Sequence, residues 1–199
     1  MPINYTNRKG QTYTLYRGQT KTGKPRYYFG RSGSDQGEPV AELPAGFKIS
    51  ESVNGVVSLV KDHLPLIQPA EVVAVEKEVK QHAQARRYRV AVKHNCIEVY
   101  EQAGPNYDTL FNEPEMAQLF TPTPDQIRQL QSIEECHAQY TPVLLFFLLD
   151  PKQRLFGAKR MCYLGSIDGW LDLHRTGSVE ELASTLIPTL GTDQFYELW

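Results

Sequence analysis

Cysteine is scarce in this chain. The three present, Cys96, Cys136 and Cys162, are too few and too scattered over 199 residues for a disulfide framework, and an odd count leaves one unpaired. They read as reduced thiols of a cytoplasmic protein. Long apolar runs are missing as well. The longest, Val143 to Leu149, falls far short of the ~18–20 residues that a membrane-spanning helix needs. The opening stretch MPINYTNRKG has no apolar core of a signal peptide, so the expectation is a cytoplasmic chain that does not engage a membrane. Complete catalytic motifs are absent too: there is no glycine-rich phosphate loop, dinucleotide fingerprint, G-x-S-x-G elbow or H-E-x-x-H pair. No catalytic residue, cofactor or metal ligand is therefore assigned. The most informative absence is acidic charge, because residues 1–34 contain no Asp or Glu.

That same stretch carries seven basic side chains, Arg8, Lys9, Arg17, Lys21, Lys24, Arg26 and Arg31, interleaved with Tyr13, Tyr16, Tyr27, Tyr28 and Phe29. The remainder holds 14 basic against 23 acidic residues, although the whole chain is only at −2. Asymmetry of this kind points to a polyanion or an acidic protein as partner. A chain of this length buries enough surface to fold without metal or disulfides.

Strand and turn signals dominate the first third. Thr12 to Arg17 and Arg26 to Gly30 are rich in β-branched and aromatic residues around a Gly/Pro turn, which predicts a β-hairpin. Alternation places Tyr13, Leu15, Tyr27 and Phe29 inward, leaving Tyr16, Arg26 and Tyr28 outward beneath a loop bearing Lys21 and Lys24. Residues 31–45 read as a loop. Phe47 to Glu51 and Val56 to Val60 form a second hairpin about Asn54-Gly55, with both turn residues at positive φ. The proline-bounded segment Asp62 to Pro69 reads as a linker, dividing a small basic β module (1–65) from a larger α+β domain (67–199).

Beyond the linker, Val72, Val75 and Val79 mark a helix from Pro69 to about Gln84. Arg87 to Lys93 and Cys96 to Glu101 pair around His94-Asn95. Asp125 to Tyr140 reads as a helix with the stripe Ile127, Leu130 and Ile133, N-capped by Thr123 before Pro124. Pro142 to Leu149 is an apolar strand, and Arg154 to Leu164 and Ile167 to His174 continue a meander. A capping box at Ser178 and Glu181 opens a helix to about Leu186, and Thr192 to Leu198 forms a last short one before Trp199. Helices and strands neither alternate strictly nor separate fully, so the fold class is α+β with an antiparallel sheet.

The leading candidate site is the basic head: Tyr16, Arg17, Lys21, Lys24, Arg26, Tyr28 and Arg31. Its cations would neutralise phosphates, and its outward tyrosines would stack on unpaired bases. A second cluster adds Arg87, Arg89 and Lys93, which share a strand face opposite Tyr88, Val90 and Val92. Arg89 would lie across from Tyr100 and Ala91 from Glu98, an acid that partly neutralises the cluster. Other patterns fit ordinary structure better. Glu78-Val79-Lys80 matches a nuclease-type E-x-K, but on a helix its charged groups diverge. His94-x-Cys96 and Cys136-His137 lack zinc-knuckle spacing. Asp168, Asp172 and His174 look like the solvent face opposite Ile167, Leu171 and Leu173.

The stretches TKTGKPRYYF, SVNGVVSLV and, most specifically, Arg160 to Trp170 (RMCYLGSIDGW) resemble a family of uncharacterised bacterial proteins. The resemblance spans most of the chain, implies that both halves belong to one architecture in an intracellular bacterial setting, and transfers no functional residue. The reading is a non-enzymatic accessory protein that binds RNA or DNA through its N-terminal hairpin. Its rivals are an interaction subunit docking an acidic protein, and a metal-dependent nuclease or hydrolase with a scattered site.

Overall fold

Alternating Thr and Tyr residues build the first sheet from β1 (Asn4–Thr6), β2 (Thr12–Gln19), β3 (Pro25–Arg31) and the short β4 (Glu38–Pro39). The computed structural model describes residues 1–31, 37–104, 123, 125–126, 128–129, 137–163 and 168–197. β2 is the centre of this antiparallel sheet, flanked by β3 on one side and by β1 and then β4 on the other. The turn into β2 is organised by Asn7, whose Oδ1 accepts the Lys9 and Gln11 amides at 3.0 and 2.9 Å. Two strands thus escaped the sequence reading: β1, and β4 inside the expected loop 31–45.

The second hairpin pairs β5 (Phe47–Glu51) with β6 (Val57–Lys61). Its turn departs from the two-residue form expected of Asn-Gly. Gly55 alone has positive φ (+76°), the Gly55 amide donates to the Ser52 carbonyl and the Ser52 amide to the Val56 carbonyl. This five-residue turn leaves the Asn54 side chain free to reach another part of the chain. Asn54 Nδ2 donates to the Tyr140 carbonyl at 2.9 Å and its Oδ1 accepts the Tyr140 amide at 2.7 Å.

The third sheet is an antiparallel meander of β7 (Tyr88–Lys93), β8 (Cys96–Gln102), β9 (Tyr140–Asp150), β10 (Leu155–Tyr163) and β11 (Asp168–Gly177), with β7 and β11 at its edges. One face is apolar by alternation: Ile97 pairs with Phe146 and Phe146 with Ala158, all buried. Helices α1 (Pro69–Gln81) and α2 (Val179–Leu186) cover that face through Val75 and Val79, and through Val179, Leu182, Ala183 and Leu186. Each valine and leucine among them contributes about 1.5–3 kcal/mol by burial. The Ser178–Glu181 capping box forms as expected. A short helix α3 (Asp193–Tyr196) follows, and the expected positions Leu198 and Trp199 lie outside the described residues.

Thr123 and Gln126 exchange side-chain bonds to each other's amides, the cap expected there, and Asp125, Gln126, Arg128, Gln129 and His137 are helical. Pro124, Ile127, Leu130 and Ile133 lie outside the described residues. Tyr140, read as the end of that helix, instead starts β9.

The segment between the second hairpin and α1 is tied down. Ile67 is buried in the core, and the Leu66 amide donates to the His94 carbonyl at 3.0 Å. Arg154 grips the buried Glu71 carboxylate through Nε at 2.8 Å and Nη2 at 2.6 and 2.5 Å, and bonds the Leu66 carbonyl at 3.1 Å. Glu71 Oε2 also accepts the Gln68 amide at the start of α1.

Candidate functional site

The basic hairpin is built by β2 and β3, in register from Tyr13 opposite Arg31 to Gln19 opposite Pro25. Its tip closes over Thr20 to Lys24. The Gly23 amide donates to the Thr20 carbonyl, the Thr20 amide to the Lys24 carbonyl and the Lys24 amide to Thr20 Oγ1. Gly23 sits at φ +77°, a conformation that side-chain-bearing residues rarely adopt. Those bonds fix the backbone and leave Lys21 and Lys24 pointing into solvent.

Arg17 stands opposite Tyr27 and Glu38, whereas Arg26 stands opposite Gly18, so cations emerge from both faces of the ribbon. A notch of about 330 Å³ lies against Arg17, Gly18, Gln19, Gly23, Pro25 and Glu38. Arg17, Lys21, Lys24, Arg26 and Arg31 are all exposed, and none has an ion-pair partner among the described residues. Five cations are therefore available to an incoming anion, with Glu38 the acid beside them.

The tyrosines are placed differently from the expectation. Tyr16 is only 7% exposed, packed between β3 and β4 and stacked on Tyr28 with ring centroids 5.9 Å apart. Tyr28 is half-buried, and its hydroxyl is buried with no hydrogen-bond partner among the described residues. Gly37 passes so close that a Cβ there would lie 2.6 Å from that hydroxyl. With Tyr28 and Pro39 on either side of it in the sheet and the Gly37 backbone close to both tyrosines, Tyr16 is packed and is not a platform for bases. Leu15 is fully buried as expected, and Tyr13, Tyr27 and Phe29 are half-buried.

The second cluster lies on a different sheet and is largely engaged. Arg89 does stand opposite Tyr100, and Ala91 opposite Glu98. Arg87, however, sits in a short turn of 3₁₀ helix before β7 and donates to the Gln102 and Gly104 carbonyls. Arg89 donates to the Arg86 and Tyr88 carbonyls and lies 5.3 Å from the centroid of the Tyr140 ring. Lys93 bonds Glu98 at 2.7 Å, the neutralisation anticipated from the pairing. Tyr100 donates to the same buried carboxylate at 2.5 Å, and burial together with that bond pushes its phenol well above the ordinary tyrosine range.

Sequence reasoning missed two arrangements. Arg8 also lies over the Tyr140 ring, at 5.5 Å, and its amide donates to Glu51, which takes the Tyr5 hydroxyl as well. The Arg154–Glu71 clamp joins residues 83 positions apart, for which no local pattern exists. Among the described residues no three His, Cys, Asp or Glu side chains gather where a metal ion would sit. Asp172 caps the His174 amide, and burial raises the Cys96 thiol above its usual range. Lys80 pairs with Glu76 on α1, and Cys136 lies outside the described residues. No described helix is long and apolar enough to cross a membrane.

No protein family, curated protein or solved structure matches this chain.

Proposed function

We propose that this chain is a non-enzymatic accessory protein that binds nucleic acid along its phosphate backbone through the β2–β3 hairpin. The observation that carries this reading is the set of five solvent-facing cations, Arg17, Lys21, Lys24, Arg26 and Arg31, without ion-pair partners among the described residues. Lysine and arginine held on a rigid ribbon release condensed counterions when they meet phosphates, which drives binding with little sequence preference. With Tyr16 buried and Tyr28 stacked on it, charge rather than base stacking carries the contact. The cluster Arg87, Arg89 and Lys93 adds little, because its charges are spent on carbonyls, Glu101 and Glu98.

One observation favours a second reading. A site that offers charge without a stacking platform suits an acidic protein surface too. Replacing Lys21, Lys24 and Arg26 by Ala separates the two readings. Anisotropy with a labelled single-stranded oligonucleotide at low salt should show wild-type binding, largely abolished in the triple variant. A wild-type protein with no affinity for single- or double-stranded DNA or RNA would transfer the hairpin to the acidic-partner reading.

A further inference from the structure

Beyond Arg17 the β2–β3 ribbon stands clear of its neighbours in the sheet. β1 pairs with β2 only as far as Thr14 and β4 only at Tyr16 and Arg17, so Gly18 and Gln19 pair with β3 alone among the described residues. Every residue from Gln19 to Arg26 is exposed. At the usual rise of a strand, the ribbon reaches roughly 10 Å past Arg17 before it turns. Its tip is fixed in advance. The Thr20 amide donates to the Lys24 carbonyl at 2.8 Å, the Gly23 amide to the Thr20 carbonyl at 2.9 Å, and the Thr20 and Thr22 hydroxyls bond at 3.0 Å. Little ordering is left to be done on binding.

The exposed stretch Gln19 to Arg26 holds three cations, Lys21, Lys24 and Arg26, with no acid and no aromatic ring. Arg17 and Arg26 emerge at its base from opposite faces, and Glu38, opposite Arg17, is the acid at that level. These features fit the forms of nucleic acid unequally. A single strand is held by aromatic platforms as well as by charge, and the projection offers none. Duplex RNA in the A form has a deep, narrow major groove that side chains cannot read. The major groove of B-form DNA is about 12 Å wide and about 8.5 Å deep, and it admits a two-stranded ribbon. The reach of the tip matches that depth, and cations on both faces of the ribbon match phosphates on both walls.

We propose, resting on the nucleic-acid reading of this hairpin, that its preferred substrate is B-form duplex DNA, whose major groove receives the tip from Gln19 to Arg26. Arg17 and Arg26 meet phosphates on opposite walls of the groove. Lys21 and Lys24 reach the base edges, where guanine N7 and O6 accept hydrogen bonds. Single-stranded DNA and duplex RNA bind by charge at low salt, but against one face of the ribbon only.

The test uses the full chain and three fluorescein-labelled probes of one sequence, duplex DNA, its single strand and duplex RNA, compared by anisotropy at one salt concentration. Duplex DNA should bind at least about tenfold more tightly than either of the others, because a one-faced contact gives up at least one phosphate. Arg17→Ala and Arg26→Ala, both at exposed positions, should each reduce the slope of log K against log salt on duplex DNA by about 0.9. Dimethyl sulfate reports the groove: the bound protein should protect guanine N7, in the major groove, and leave adenine N3, in the minor groove, reactive. Equal affinity for the three probes, a slope change confined to one arginine, or guanine N7 as reactive as in free DNA overturns the duplex assignment and leaves the hairpin's nucleic-acid reading standing. No affinity for any of the probes at low salt removes that reading, and this assignment with it.

Discussion

Replacing Arg154 by Met should be among the most damaging single changes outside the apolar core. The Glu71 side chain is 6% exposed and Arg154 27%, and their contact is bidentate, through Nε and Nη2. Removing the guanidinium leaves a buried carboxylate with only the Gln68 amide as its charge-assisted partner, and also releases the Leu66 carbonyl. Breaking one side of a buried pair costs about 3–5 kcal/mol, and Arg154's partial exposure places this case near 3. Glu71→Gln should cost less, about 1–2 kcal/mol. Its amide oxygen still accepts from Gln68, and the orphaned guanidinium reaches solvent. The double variant should be less destabilised than the sum of the singles, because the buried charge that Arg154→Met exposes to the core is gone. Urea unfolding measures all three as shifts in midpoint at unchanged slope. An Arg154→Met cost below about 1 kcal/mol, or one smaller than that of Glu71→Gln, would refute the assignment of a buried, charge-dependent clamp.

Asn54→Ala should lower stability by about 2–3 kcal/mol in the same assay, since the backbone amide and carbonyl of buried Tyr140 both lose their partner. Tyr16→Ala should cost about 3–5 kcal/mol, as deletion of a core aromatic does, whereas a surface stacking tyrosine would be near neutral. The raised phenols of Tyr88 and Tyr100 hold protons in the native state that the unfolded chain gives up near pH 10. Their contribution is complete below that pH and is lost as pH rises from there toward the folded values. Tyr100→Phe should make alkaline unfolding less steep, and an unchanged profile would contradict the role given to burial and Glu98.

Much of the large sheet was legible because its strands are long and every connection but that between β8 and β9 is short. The register followed from taking His94-Asn95 as a two-residue turn, which put Arg89 opposite Tyr100 and Ala91 opposite Glu98 as found. Helix α1 followed from its valines and proline. What escaped depends on contacts distant in sequence. β4 has only two residues and no pattern of its own, yet it pairs beside Tyr16 and helps turn an apparent stacking residue into core. Asn54 carried the strongest local turn signal, and its side chain instead serves Tyr140, 86 residues away. For the candidate site, the cations of the β2–β3 hairpin were readable from composition and exposed as expected. The fate of Arg87, Arg89 and Lys93 was not, since carbonyl partners leave no trace in sequence.

The most direct measurement of the central claim is the salt dependence of wild-type binding to a single-stranded oligonucleotide. Measurable affinity is expected at low salt. The slope of log K against log salt should shrink by about 0.7 for each phosphate that is no longer neutralised, hence by roughly 2 in the K21A/K24A/R26A variant. No binding at low salt, or a slope that is the same in wild type and variant, would contradict it.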